Sequence, residues 1–148
     1  MGIQTLVEIH LKLCLPRDEL SIPVARHICR NSLAEVGVQR DCSGDIEVAL
    51  TEACTNVLDH SGDGDEYEIQ LGIEDDLCTI RVVDTGRGFD SESLQGLPDD
   101  SAEGGRGLVL MRALVDRALF TSRPEAGTIV HLEKDLSFVP GAAGLRLR

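Results

Sequence analysis

Lysine is scarce in this sequence. Only Lys12 and Lys134 occur among its 148 residues. Neither lysine follows a glycine, so the GxxxxGK[ST] element that cradles phosphates in P-loop proteins is absent. Any triphosphate that this chain binds must therefore be held without a P-loop lysine.

Positive charge as a whole is scarce, and so are aromatic side chains. The chain has 14 Lys and Arg against 26 Asp and Glu, which gives a formal net charge of −12. Nucleic acids and anionic membranes attract basic surfaces, so neither is an expected partner. Aromatic residues make up 3% of the chain and Trp is absent, so a surface that stacks bases is not expected either.

Paired cysteines and long apolar runs are also missing. The five cysteines are an odd number without a CxxC pair, which is typical of a reducing compartment, and we expect them to be small buried hydrophobes. His10, His27 and His131 stand apart in the sequence, so no zinc site is expected. No apolar run reaches transmembrane length and no leader is recognisable, so we expect a cytoplasmic protein without a membrane anchor.

The pattern along the chain predicts one domain. Residues 1–148 are assigned to a single unit with its core at about 6–136 and a Gly- and Ala-rich tail at 138–148 that frays. Strands are predicted at 6–15, 67–74, 77–84, 118–122 and 128–134, and helices at about 45–60 and 106–116. A further helix follows Pro16, with Leu20, Val24 and Ile28 as its apolar stripe. This order predicts an α/β fold, a two-layer sandwich in which a mixed sheet carries helices on one face.

The second predicted helix carries the first candidate site. Its apolar stripe has helical spacing, and Glu52 and Asn56 lie one turn apart at the rim of that stripe. A carboxylate in this position suits a general base, and an amide oxygen suits Mg²⁺ or a phosphate group. Taken alone, the same pair would also suit an ordinary helix surface.

Two glycine-rich motifs follow. Asp84 ends a strand and is followed by Gly86 and Gly88. Its carboxylate could accept a hydrogen bond from an exocyclic amine such as that of adenine while the glycines let the backbone approach the base, although a turn with a capping Asp has the same pattern.

The second motif, EGGRGL at residues 103–108, opens the third predicted helix. The N–H groups at such a helix start, together with the helix dipole, favour phosphate. A dinucleotide fingerprint is excluded because Leu110 stands where a third glycine is needed.

Taken together, these motifs resemble the N, G1, G2 and G3 boxes of the GHKL ATPase superfamily. The segments TEACTNVLDH, VVDTGRGFD, GGRGLVLMRALVD and GTIVHL occur in that order, and within the superfamily they resemble the RsbW-type anti-sigma-factor serine kinases of bacteria. The resemblance covers about residues 6–136. It implies a Bergerat-type ATP-binding fold that uses ATP and Mg²⁺.

The resemblance also implies a role for each matching residue. Glu52 would be the catalytic base that takes a proton from an acceptor serine, and Asn56 would be the Mg²⁺ ligand. Asp84 would bind the adenine amine in a pocket shaped by Gly86 and Gly88. The remaining implied ATP-binding residues are Gly105, Arg106, Gly107 and Leu108 near the phosphates and Thr128 near adenine, with residues 89–104 as the ATP lid.

Three functions stay open at this point. The resemblance implies a serine kinase that phosphorylates an anti-sigma-factor antagonist of the STAS type and sequesters a sigma factor. The alternative is a non-catalytic module in which ATP orders the lid and thereby controls partner binding. The catalytic part of a sensor histidine kinase is less favoured, because no helix pair with an acceptor histidine precedes the domain. The surface of residues 16–36 is expected to contact either a partner or a second copy in a homodimer.

Overall fold

The computed structural model describes residues 8–60, 65–84, 105–123 and 127–140. This part of the chain forms one sheet and three helices. In chain order the elements are β1 (Glu8–Pro16), α1 (Ser21–Glu35), α2 (Arg40–His60), β2 (Glu66–Glu74), β3 (Leu77–Asp84), α3 (Gly105–Leu114), β4 (Arg117–Arg123) and β5 (Gly127–Asp135). The predicted α/β sandwich is confirmed.

The sheet is antiparallel throughout the described residues, with strand order β1-β2-β3-β5-β4. The predicted mixed sheet is wrong. The crossover through α3 carries the chain from β3 to β4, which run in the same direction, but the β4–β5 hairpin places β5 between them. Each strand therefore has only antiparallel neighbours.

Alternation along the strands separates two faces of the sheet. In β1, exposed residues alternate with half-buried ones, and in β2 buried residues alternate with less buried ones. Tyr67, Ile69 and Leu71 of β2 belong to the buried core. Because successive side chains point to opposite faces, Glu8, His10 and Glu74 lie on the other face, which we call the open face.

Helix α1 buries a different stripe from the predicted one. Its buried apolar residues are Ile22, Ala25, Cys29 and Leu33. Leu20, which immediately precedes the helix, is 78% exposed and Val24 is 48% exposed. Two of the three predicted stripe residues therefore face outward, whereas the third, Ile28, is half-buried. Both sets have helical spacing, and the position of the sheet decides which one is buried.

Helix α2 is longer than predicted and begins at Arg40. Gly44, which precedes the predicted helix at about 45–60, lies within α2. The predicted apolar stripe, Ile46, Leu50, Ala53 and Val57, is buried as expected, and the earlier start of the helix extends it by one turn to Cys42. The four buried cysteines, Cys29, Cys42, Cys54 and Cys78, are free and belong to the core, whereas Cys14 is exposed.

Several predicted features fall on residues outside the described ranges. They are Gly86 and Gly88, the segment 89–104 assigned as a lid, and residues 141–148 of the tail. Within the described ranges, no helix has the length and apolar character needed to cross a membrane.

Candidate functional site

Helix α2 places Glu52 and Asn56 at the edge of the core. The helix packs against β3 and β5 through its apolar stripe, which includes Ile46, Leu50, Ala53 and Val57. Asn56 lies next to this stripe and is only 9% exposed, while Glu52 is half-buried. The pair therefore presents one enclosed amide and, a turn earlier, a carboxylate that solvent can reach.

Strands β3 and β5 bring Asp84 and Thr128 to the same end of the sheet. The last pair in their ladder is Val83 with Ile129, so Asp84 and Thr128 are the next residues on adjacent strands. Both are fully buried. By alternation, Asp84 shares the face of Val82 that is covered by the helices. At this end of the sheet, the buried polar side chains of Asp84 and Thr128 therefore lie on adjacent strands.

Helix α3 begins against Asn56. A Cβ built on Gly107 would lie 3.0 Å from Asn56 Oδ1 and 3.2 Å from Nδ2. These distances are shorter than ordinary van der Waals contacts, so the close approach of α3 depends on glycine at this position. The next residue, Leu108, is 4% exposed and anchors the first turn of α3 in the core. Gly105 and Arg106 belong to the same turn.

The amide of Asn56 provides a test of whether the site suits a nucleotide and a cation. Its Nδ2 atom is buried and has no hydrogen-bond partner within the described residues. An unsatisfied buried amide of this kind costs about 1–3 kcal/mol, and a phosphate oxygen would satisfy it. Rotation of the amide by half a turn would instead offer Oδ1, a ligand type that Mg²⁺ accepts. These residues therefore fit Mg-ATP.

The start of α3 adds a second favourable feature. The first four N–H groups of an α-helix have no partner within the helix, and the helix dipole concentrates positive potential there. With Gly107 pressed against Asn56, these donors and the Asn56 amide lie next to each other. An anion can bind here without lysine, as the lysine-poor sequence requires.

Sequence reasoning missed a support for the end of α2. The Arg17 Nη2 group donates a hydrogen bond to the carbonyl oxygen of Leu58 at 3.0 Å. Leu58 lies in the last turn of α2, where carbonyl groups lack partners within the helix and positive charge is favourable. Arg17 precedes α1 in the chain, and nothing local to it in the sequence indicates a bond to α2.

A buried hydrogen-bond chain was missed as well. The hydroxyl groups of Ser21 and Tyr67 lie 2.6 Å apart, and Ser21 Oγ donates to the carbonyl oxygen of Asp18 at 2.7 Å. Burial and the neighbouring Cys54 raise the pKa of Tyr67 to about 12. This chain ties the start of α1 to the strand residue paired with Asp84.

Comparisons with known proteins agree with this arrangement. Residues 15–134 match the family described as histidine kinase-like ATPase domain. The chain is 32% identical over 140 residues to the serine-protein kinase RsbW of Bacillus licheniformis, covering 86% of each chain. It is also 32% identical over 114 residues to an anti-sigma F factor of Bacillus licheniformis, covering 71% of this chain and 77% of that protein.

A solved structure supports the fold. The crystal structure of RsbU and RsbW domains of a Mycobacterium tuberculosis protein superposes with a TM-score of 0.67 at 22% identity, covering 88% of this chain. This chain spans 33% of that longer one. Motifs, fold and relatives point the same way: the chain belongs to the histidine kinase-like ATPase domain family of the GHKL type, among the relatives of RsbW.

Proposed function

We propose that this chain is an ATP-dependent serine kinase and anti-sigma factor of a partner-switching pathway. It would phosphorylate a serine of a STAS-type antagonist and sequester a sigma factor when the antagonist is unavailable. One observation carries the proposal. The buried amide of Asn56 meets the start of α3 at Gly107, and Glu52 lies one turn away with its carboxylate accessible.

Each residue then has a defined task. ATP with Mg²⁺ would supply the phosphoryl group and the cation that offsets its charge. Asn56 would hold the cation, and the α3 start with Gly105, Arg106, Gly107 and Leu108 would hold the phosphates. Asp84 would accept a hydrogen bond from the adenine amine beside Thr128, with Gly86 and Gly88 completing that pocket.

Glu52 would act on the acceptor rather than on ATP. A half-buried carboxylate on the turn before Asn56 is suited to take the proton from a serine hydroxyl as the oxygen attacks phosphorus. The kinase and anti-sigma names of the relatives support this assignment. A cytoplasmic location would bring the protein together with a sigma factor.

The exposed apolar residues at the start of α1 support a protein contact. Leu20 and Val24 are 78% and 48% exposed. Burying Leu20 against a partner would contribute about 1.5–3 kcal/mol, and burying the exposed half of Val24 would contribute about half as much. Val24→Asp should weaken binding of the antagonist or self-association, and light scattering with and without the antagonist separates the two. Unchanged behaviour in both measurements would argue against a contact on α1.

A substitution on α2 tests the base. Glu52→Gln should reduce phosphotransfer about 100-fold or more, the usual effect of losing a general base, while ATP still binds. Glu47→Gln is the matched control, because it makes the same change on the same helix at a carboxylate that pairs with Arg30 instead. Undiminished transfer by Glu52→Gln would overturn the base assignment.

The kinase proposal itself is tested with acceptors. The protein is incubated with Mg-ATP and candidate antagonist proteins encoded nearby, and phosphoserine is located by mass spectrometry. Kinase action predicts one modified serine on one acceptor, with transfer and ATP binding both lost when the metal is chelated. If ATP binds and orders partner binding but no acceptor is modified, the non-catalytic module is the correct alternative.

A further inference from the structure

A cluster of three metal-ligating side chains lies on the open face of the sheet, away from the candidate ATP site. Glu8, His10 and Glu74 each offer one ligand atom, and these atoms all lie within 4.8 Å of one another. His10 Nε2 is 3.2 Å from Glu8 Oε2 and 3.3 Å from Glu74 Oε2. We propose that this cluster binds a divalent transition-metal ion of the Zn²⁺ type.

The register of the strands builds the cluster. Glu8 is paired with Glu74 across β1 and β2, and His10 is paired with Gly72. All three ligand residues therefore point to the same face, with the imidazole two residues along from the carboxylate pair. In the sequence, His10 stands apart from Glu74, which lies on a different strand far along the chain, so the sequence alone does not indicate this cluster.

The spacing suits direct coordination. A metal ion with bonds of about 2.0–2.2 Å holds neighbouring ligand atoms about 2.9–3.5 Å apart in octahedral or tetrahedral geometry. The two measured distances from His10 Nε2 fall in this interval. An imidazole with two carboxylates favours Zn²⁺ and related first-row ions over Mg²⁺, which prefers oxygen ligands alone.

Gly72 supplies the room that the imidazole occupies. A Cβ built on Gly72 would lie 3.4 Å from His10 Nδ1 and 3.7 Å from Cε1. The ring thus lies at van der Waals distance from the point where a side chain would begin, and the γ carbons of a branched residue there would compete with the ring for space. A glycine inside a strand weakens the strand unless close packing needs it, so the position of this one supports a site for the ring.

The surroundings leave the site accessible. The side chains of Glu8, His10 and Glu74 are 64%, 59% and 59% exposed. A depression of about 430 Å³ adjoins them, lined by His10 and Glu74 together with Lys12, Gln70, Thr79 and Arg81. Three protein ligands leave at least one coordination position for water or for a donor from a molecule in this depression.

The site is independent of the candidate ATP site and does not rest on the proposed function. Asp84 is paired with Tyr67 at one end of β2, whereas Glu74 lies at the other end, about 24 Å away at the rise of an extended strand. The two sites also occupy opposite faces of the sheet. Metal binding to Glu8, His10 and Glu74 should therefore leave the affinity for ATP unchanged.

The experiment is a titration of the nucleotide-free protein with Zn²⁺. Binding is measured by calorimetry and by NMR of the imidazole protons. We expect one saturable site and a shift of the His10 resonances, with those of His27 and His131 unmoved. Cys14→Ser should bind Zn²⁺ with equal affinity, which excludes the exposed thiol as the ligand. Binding of Mg²⁺ as tight as that of Zn²⁺ would overturn the assignment.

Two variants and a control locate the site. His10→Ala should lose more than the about 10- to 100-fold in affinity that removal of an outer-shell group costs. Gly72→Val keeps all three ligands and has good strand propensity, yet should weaken binding by displacing the ring. His131→Ala is the matched control. His131 Nε2 also lies 2.8 Å from a carboxylate, that of Glu133, but this carboxylate is next to Arg117 and not next to a second carboxylate.

The outcomes separate a metal site from an ion-pair cluster. Retained affinity in His131→Ala together with loss in His10→Ala supports the site. Zn²⁺ affinity that is unaffected by His10→Ala, or an absence of saturable binding to the unmodified chain, would show that the three side chains form surface ion pairs and would overturn the proposal.

Discussion

Asn56 of α2 lies directly against Gly107 of α3, so that the amide occupies the space where a side chain at position 107 would begin. The Cβ of any other residue would lie 3.0 Å from Asn56 Oδ1. The two elements that carry the candidate phosphate and metal contacts therefore position each other. This relationship leads to the first prediction.

Gly107→Ala should reduce ATP affinity. Displacing the packed amide of Asn56 costs about 1–3 kcal/mol, as overpacking usually does. That cost is larger than the gain of about 0.5–1 kcal/mol in helix stability that alanine has over glycine. Gly44→Ala on α2 is the matched control, because no heavy atom lies within 4 Å of its Cβ. Calorimetric titration with Mg-ATP should show weaker binding for Gly107→Ala only, and equal affinity in both variants would contradict the close approach.

The exposed and buried faces of α1 should respond differently to truncation. Leu33→Ala removes a fully buried side chain and should lower the free energy of unfolding by about 2–5 kcal/mol. Leu20→Ala, at a residue that is 78% exposed, should change it by less than about 0.5 kcal/mol. Urea denaturation measures both. If Leu20→Ala lowered the free energy of unfolding more than Leu33→Ala, the stripe predicted from the sequence would be the buried one.

The single tyrosine should titrate late. Burial raises the pKa of Tyr67 to about 12 in the folded chain, against about 10 for an unfolded chain. Because the folded value is the higher one, the neutral phenol stabilises the fold fully below pH about 10, and this contribution is lost as the pH rises towards 12.

The absorbance of tyrosinate reports on this group alone, since the chain has no Trp and one Tyr. Ionisation of the native protein should lag behind that of the protein in urea, where the transition should centre near pH 10. If the protein keeps its native circular dichroism but Tyr67 ionises at the same pH as in urea, that result would contradict the burial of Tyr67.

Thiol reactivity should distinguish Cys14 from the other cysteines. Cys14 is the exposed thiol, and the remaining four are buried. Burial raises the pKa of Cys29 and of Cys54 to about 12, which suppresses the reactive thiolate. A disulfide reagent should modify Cys14 rapidly in the native protein and the others only in denaturant. The Cys14→Ser variant should lack the rapid phase, and a persistent rapid phase would show that a buried thiol becomes exposed.

The sequence predicts features that depend on neighbours in the chain. The spacing of Glu52 and Asn56 relative to the stripe of α2 follows from helical periodicity alone, and the structure has both at the edge of the core. The alternation in β1 likewise places Ile9, Leu11 and Leu13 against the core. Local pattern is sufficient in these cases because each element buries one face.

Features that depend on distant elements were not predictable in this way. Two stripes of α1 have the same period, and only the position of the sheet selects Ile22 and Leu33 over Leu20 and Val24. The bond from Arg17 to Leu58 and the contact between Asn56 and Gly107 join separate elements. The insertion of β5 beside β3 is of the same kind, since it depends on the pairing of residues far apart in the sequence.

That insertion has a consequence for the synthesis of the chain. Of the strands in the described residues, β5 is synthesised last, and it pairs on both sides, with β3 and with β4. A nascent chain that ends before Gly127 therefore leaves β3 as an open edge of apolar, unpaired backbone, the kind of edge that recruits strands from other chains. The strand order therefore makes the pairing of β5 the step that covers this edge of β3.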